Sequence, residues 1–227
     1  MENLDVRIEH IFHSGFTLET ENYFLVFDYY KGDISLKDKK IIVFVSHGHE
    51  DHYTEEIFKW NKDFKDISYV LSSDIEISPK GENIYIMEPY ENLKLQDVDI
   101  YSFGSTDLGL SFINVEGILV FHAGDLNWWH WEGDPEDEKL RMEREFKEEI
   151  SKLTSYNIDI AFVPVDPRLG KAFSLAGEYF IKTIKPKYFL PMHFGDNFYI
   201  SSDFIHRLGE TNTNIVDLTK RNQIIDL

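Results

Sequence analysis

Cysteine is absent from the 227-residue chain. That absence excludes disulfides, thiolate metal sites and a cysteine nucleophile, so a metal would have to be held by imidazole and carboxylate. Basic residues are scarce as well: 23 Lys plus Arg stand against 41 Asp plus Glu, for a formal net charge of −18. A field of that sign repels phosphate backbones and anionic lipid surfaces, which makes long nucleic acid and membranes poor partners. No apolar run reaches the roughly 18 residues that span a bilayer. The N-terminal Met1-Glu2-Asn3-Leu4-Asp5 is acidic where a signal peptide is basic. Low-complexity stretches and tandem repeats are lacking too. What is present is ample core material, 42% hydrophobic residues with 18 Phe, enough for one domain over residues 1–227. The expectation is a cytoplasmic protein acting on a small-molecule substrate, with a homo-oligomer left open.

Hydrophobic periodicity predicts short strands through the first half. Val6 to His10 alternates, Gly15 to Glu19 follows, and a polar turn leads into Tyr23 to Phe27, together an antiparallel meander. Ile41 to Val45 is a continuous β-branched and apolar run, as expected of a strand buried on both faces. Thr54 is placed to cap a short helix through Trp60. Further strands are expected at Ser68 to Leu71, Asn83 to Ile86, Val98 to Phe103, Leu110 to Val115 and Ile118 to Phe121. Asp134-Pro135 reads as the start of a helix, with Asp134 as cap and Met142, Phe146, Ile150 and Leu153 on its buried face. The C-terminal third then alternates a strand at Ile158 to Val163, a helix from Ser174 to about Lys185, and a strand at Lys187 to Leu190. Strands followed by helices, twice over, point to two sheets packed together with helices outside.

The densest chemical signal is His47-Gly48-His49-Glu50-Asp51-His52, directly after the buried strand. Residues i and i+2 of an extended segment share a face, so His47 and His49 can grip one ion, and Gly48 relieves the crowding between them. Asp51 and His52 follow as the chain turns and face an adjacent position. Imidazole and carboxylate suit Zn²⁺, with Mn²⁺ or Fe²⁺ as alternatives. Two later strand ends carry the same types of residue: Asp125 after Phe121-His122-Ala123-Gly124, and His193 after Leu190-Pro191-Met192.

This arrangement, His47-x-His49-x-Asp51-His52 with Gly124-Asp125 and His193, resembles the metallo-β-lactamase superfamily. His13-Ser14-Gly15-Phe16 and the strand ending Val26-Phe27-Asp28 look like its branch of ascorbate-phosphate lactonase-like hydrolases. The resemblance implies an α+β fold, a four-layer αβ/βα sandwich of two mixed sheets flanked by helices, with the metal site at one edge. It also implies that His47 and His49 serve one metal, that Asp51, His52 and His193 serve the other, and that Asp125 bridges them. Asp28 would hold a ligand histidine from behind, or would be an ordinary strand-end Asp.

One departure stands out. The family usually supplies another histidine between the first motif and the bridging Asp, and this chain has none from Tyr53 to Phe121. The corresponding stretch, Tyr101 to Asp107, offers Asp107 as a substitute ligand, or else a plain turn. The first metal position is therefore expected to be one ligand short, with one or two ions per chain. Trp128-Trp129-His130-Trp131 after Asp125 would wall a substrate pocket, with His122 and His130 as polar contacts, or would anchor the loop to the core. His13 would line the site or cap the first hairpin. Arg168 reads as a surface salt bridge or an anion contact.

The function expected is metal-dependent hydrolysis. A metal-bound hydroxide would attack an ester, lactone, amide or phosphoester bond, and Asp51 or Asp125 would orient it and take its proton. Two alternatives remain: a nucleotide or phosphodiester hydrolase, and a non-catalytic metal-binding protein of the same fold.

Overall fold

A computed structural model describes residues 4–77, 81–106 and 110–227, with side chains for all of these but 110–114. Fourteen strands among them form two seven-stranded sheets. The first sheet is built from β1 (Arg7–Phe12), β2 (Gly15–Glu19), β3 (Tyr23–Phe27), β4 (Lys40–Val45), β5 (Ile67–Ser72) and β6 (Ile84–Met87). The second begins with β7 (Asn92–Leu95), β8 (Val98–Phe103), β9 (Leu110–Val115) and β10 (Ile118–His122). It continues through β11 (Ile160–Pro164), β12 (Tyr188–Met192) and β13 (Asn214–Ile215), while β14 (Gln223–Asp226) returns to the first sheet beside β1.

Each sheet is half antiparallel and half parallel. β1, β2 and β3 form the expected meander, after which β3, β4, β5 and β6 run parallel. The second sheet repeats the plan: β7 to β10 are antiparallel, and β10 to β13 are parallel. The parallel strands are the continuous apolar ones, because both of their faces are covered. β11 is buried along its whole length, and β4 is buried from its second residue on. This shared plan makes the carboxyl ends of β3, β4, β10, β11 and β12 the places where ligands cluster in such sheets.

The main core lies between the sheets and extends under the helices. It joins Phe16, Phe27 and Phe44 of the first sheet to Phe121, Phe162 and Phe189 of the second. Three α-helices are present among the described residues: α1 (Glu136–Ser151), α2 (Leu175–Ile184) and α3 (Tyr199–Leu208). All three contribute to the main core, through Phe146 and Ile150, Phe180 and Ile181, and Ile200 and Phe204. The outer face of the first sheet carries a thinner layer. A 3-10 helix, Glu55–Lys62, buries Ile57 there in a second cluster with Val43, Val45 and Tyr69. Thr54 caps that helix as its sequence predicts, its hydroxyl accepting from the Glu56 N–H at 3.4 Å.

Proline marks two helix boundaries. α1 starts at Glu136 rather than Pro135, and no side chain caps it. The Pro135 carbonyl accepts the first turn's bond from Lys139 N–H, so proline is the boundary residue and Asp134 lies outside the helix. α2 stops as expected ahead of Pro186, which cannot continue a helix, with Lys185 as its left-handed C-cap at φ 58.

Candidate metal centre

Five strand ends deliver the site. β4 runs into Ser46-His47, the turn after it carries Asp51 and His52, and β10 leads to Asp125. β12 ends one residue before His193, β3 one residue before Asp28, and β11 two residues before Asp166. His13 sits in the β1–β2 hairpin with φ 58, and His193 has φ 69. The two turns are tied together, since the His193 N–H donates to the His13 carbonyl at 3.1 Å.

Around Asp125 three imidazole Nε2 atoms converge. His52 Nε2 and His193 Nε2 each lie 3.0 Å from Asp125 Oδ1, and His47 Nε2 lies 3.5 Å from Oδ2. A tetrahedral ion with nitrogen ligands at about 2.0–2.1 Å separates its ligand atoms by roughly 3.3 Å, so these spacings suit a shared cation. Asp51 Oδ2 stands 4.0 Å from His193 Nε2 and 3.5 Å from His13 Nε2. Two overlapping groups result: His13, Asp51, His52 and His193, and His47, His52 and Asp125. His49 Nδ1 lies 3.0 Å from His47 Nε2, although the His49 side chain is exposed.

The opposite face of each ring fixes its tautomer. Asp28 Oδ2 accepts from His52 Nδ1–H at 2.7 Å. Asp166 Oδ2 accepts from His193 Nδ1–H at 3.0 Å, the shorter of that nitrogen's two contacts, with Arg168 Nη2 at 3.2 Å. The Ser46 hydroxyl donates to Asp28 at 2.7 Å, so its lone pair accepts from His47 Nδ1–H at 3.0 Å. All three rings therefore turn an acceptor Nε2 inward, that of His47 already taking a contact from His49 Nδ1 at 3.0 Å. His52 Nε2, His193 Nε2 and Asp125 Oδ1 are buried and make no hydrogen bond. Orphaned acceptors at such close range repel one another unless a cation or a proton sits between them. The donor set fits a divalent ion.

The electrostatics make the same demand. Burial would raise Asp125, yet His193, His47 and His52 together hold it far below the usual carboxylate range. Burial disfavours the charged form of His52, but Asp125 and Asp28 outweigh it and raise the ring to about 10. His193 is raised against its burial by Asp125 and Asp166. A bound cation satisfies these carboxylates directly and displaces the protons.

A family model described as the beta-lactamase superfamily domain matches residues 7–193. The chain belongs to that superfamily. Its fold is shared with Igni18, a novel metallo hydrolase from the hyperthermophilic archaeon Ignicoccus hospitalis. That match has a TM-score of 0.68 at 16% identity and covers 97% of each chain. CmlA, a diiron beta-hydroxylase from Streptomyces venezuelae, matches with a TM-score of 0.64 at 9% identity, over 98% of this chain and 54% of that one. No curated protein matches. The metallo-β-lactamase fold is thus established, and the family together with the His/Asp cluster supports binding of a divalent metal.

Within this superfamily fold, the residues expected from sequence separate into distinct roles. Asp28 binds the back of His52, as the resemblance implies. His122 lies behind the centre, its Nδ1 3.7 Å from Asp28 Oδ2, and does not face the ligands. Its Nε2–H donates to the Ser14 carbonyl at 3.0 Å, its Nδ1 accepts from Gly124 N–H at 3.2 Å, and its ring stacks on Phe27. Both nitrogens are therefore spent on the backbone beneath the centre.

The aromatic stretch divides as well. Trp128 points into the core, against Phe146 and Tyr179, and so takes the anchoring role rather than the pocket role. His130 borders a separate cavity of about 270 Å³ with Leu169 and Leu175, away from the ligands. Trp129 and Trp131, parallel with centroids 5.9 Å apart, do wall a cavity of about 450 Å³ that reaches Asp125.

Asp107 lies outside the described residues. Its neighbour Thr106 is committed to the backbone: the hydroxyl donates toward the Asp125 and Asn127 carbonyls and accepts from Asn127 N–H.

Asp166 was not singled out by sequence reading. Its oxygens accept from His193, from the Arg168 N–H at 2.9 Å and from the Arg168 guanidinium. Pro164-Val165-Asp166 after a wholly apolar strand carries the same strand-end signal that marked Asp125 and His193. Arg168 accordingly forms a salt bridge, but one at the site, and it lines cavities on both sides of the ligands.

Proposed function

We propose that the protein is a metal-dependent hydrolase of small molecules, with His47, His52, His193, Asp51 and Asp125 as the principal ligands and His49 completing the outer position. The observation that carries this reading is the set of three inward lone pairs on buried imidazoles, each fixed by an acceptor behind it. That carboxylate–histidine arrangement is typical of ligating histidines and is costly to bury without an ion. A divalent ion bound there supplies Lewis-acid polarisation of a carbonyl or phosphoryl oxygen and lowers the pKa of water to about 7. Asp51 is half-buried and is held ionised chiefly by His13, so it is placed to orient water and take its proton. Asp125 is more deeply buried and serves mainly as a ligand. Ester, lactone, amide and phosphoester bonds all fit this chemistry. Zinc suits the nitrogen-rich set, with manganese and iron as alternatives.

A panel of chromogenic ester, lactone and phosphodiester substrates tests the reading on metal-loaded wild type and Asp51→Ala. Wild type should turn over at least one class, and the variant should lose about 100-fold or more in kcat, the contribution of a positioned base. Absence of metal-dependent turnover across the panel would instead favour a non-catalytic metal-binding role.

A further inference from the structure

His13 is grouped by distance with Asp51, His52 and His193, but its hydrogen bonding is the reverse of theirs. The backbone N–H of Gly195 donates to His13 Nδ1 at 3.1 Å. A backbone amide can only donate, so Nδ1 is the acceptor and carries no proton. The neutral imidazole then bears its single hydrogen on Nε2. His47, His52 and His193 are fixed the other way, with Nδ1–H bound behind and Nε2 as the inward acceptor.

We infer that His13 is not a metal ligand but presents an Nε2–H into the site as a hydrogen-bond donor to the substrate oxygen that gains negative charge. This role rests on the hydrolase reading above and deepens it. Three observations converge on it. His13 Nε2 is buried and makes no close hydrogen bond, its nearest acceptor being Asp51 Oδ2 at 3.5 Å, the group assigned as the base. The His13 ring packs against His193, with centroids 4.0 Å apart, so the donor is adjacent to the ligands. His13, Asp51, His193 and Tyr30 together line a cavity of about 260 Å³, large enough to admit part of a small substrate.

The backbone also holds the ring rigidly. The His13 carbonyl accepts from His193 N–H while the ring accepts from Gly195 N–H, which clamps residue 13 to the β12–α3 turn at two points. Preorganised donors of this kind favour the transition state, because no reorganisation is needed as charge develops.

In the step itself, the water oxygen forms a bond to the acyl carbon, the carbonyl π pair moves onto oxygen, and the water proton passes to Asp51. His13 lends its N–H to that oxygen without releasing the proton. Collapse of the tetrahedral species returns the pair to the carbonyl and expels the leaving group, which takes the proton back from Asp51. A neutral imidazole in this electrophilic role is established chemistry in enzymes.

Two measurements on the full chain test the assignment. Long-range ¹H–¹⁵N correlation spectra of wild type, before and after zinc loading, should show His13 with hydrogen on Nε2 in both states, and His52 and His193 with hydrogen on Nδ1 after loading. A hydrogen on His13 Nδ1, or a metal-induced change at its Nε2 like that of His52, would overturn the inference. On whichever substrate the panel identifies, His13→Ala should lose about 100- to 1,000-fold in kcat, as for removal of one oxyanion donor. Zinc stoichiometry should stay unchanged, and His13→Gln, which keeps an N–H near the same place, should recover most of the loss. Loss of bound zinc in His13→Ala, or unchanged kcat, would overturn the inference and leave the hydrolase reading standing. Wild type inactive on the whole panel would overturn both.

Discussion

Asp28 and Asp166 act on the centre without facing it. Asp28 accepts three hydrogen bonds, from Ser46 N–H, the Ser46 hydroxyl and His52 Nδ1–H. Asn at position 28 keeps one acceptor oxygen and adds a donor aimed at existing donors, so it loosens both His52 and the Ser46–His47 contact. Asp28→Asn should weaken zinc binding by about 10- to 100-fold, the usual effect of losing such a partner, as read by titration against a competing chelator. Asp166→Asn should do the same through His193, with unchanged affinity arguing that the ring is held by packing alone.

At this scale the legible part of the sequence was its local spacing. His47-x-His49-x-Asp51-His52 announces ligands because the residue types and their alternation lie within six positions. Tautomers are set by groups far away in sequence: His13 by Gly195, His193 by Asp166, His52 by Asp28. No local pattern contains that information, which is why His13 stood between two roles and Asp166 was passed over.

Secondary elements were legible where burial imposes a pattern. β2, β3 and β8 fall at the residues expected of them from sequence, and β4, fully sandwiched, reads as a continuous apolar run. Sequence reading did not assign β7, β13, β14 or α3, which are short or lie at the margins. β13 has two residues and β14 is half exposed at a sheet edge, so neither carries a strong period. α3 starts without a side-chain cap, directly after the turn that follows His193.

The packing of these outer helices depends on Gly177 in α2. A Cβ there would lie 2.7 Å from Phe204 Cζ of α3 and 3.1 Å from Phe189 Cζ of β12. Gly177→Ala would gain helix propensity of about 1 kcal/mol, yet overpacking of two buried rings costs about 1–3 kcal/mol. The expected net result is a lower Tm by thermal denaturation. A Tm equal to or above wild type would show that Phe204 can turn aside at no cost.

The whole molecule sets its acid response partly through His10, far from the acidic surface. Its ring is fully buried and lies against Phe16, Phe194 and Phe198. Burial lowers its pKa to about 4 from an ordinary 6.5. Between those values the unfolded chain binds a proton that the folded chain refuses, so stability is full above 6.5 and falls as pH drops toward 4. By pH 5 this one residue costs about 2 kcal/mol relative to neutral pH. His10→Phe should therefore be more stabilising, or less destabilising, at pH 5 than at pH 7.5 by about that amount in urea unfolding. The same difference at both pH values would contradict a buried neutral His10. The two-sheet architecture was legible at this scale through the runs of strands in both halves, although among the described residues the three α-helices all lie in the second half and the first carries only a 3-10 helix. The return of β14 to the first sheet was not, since nothing local distinguishes it from any other short terminal strand.

The central claim is that the inward Nε2 lone pairs of His47, His52 and His193 surround a cation on Asp125. An anomalous difference map of zinc-loaded crystals tests it most directly. The account predicts a zinc peak within ligand distance of His52, His193 and Asp125, with His13 Nε2 outside that distance. No peak at these residues, or zinc bound elsewhere on the acidic surface alone, would contradict it.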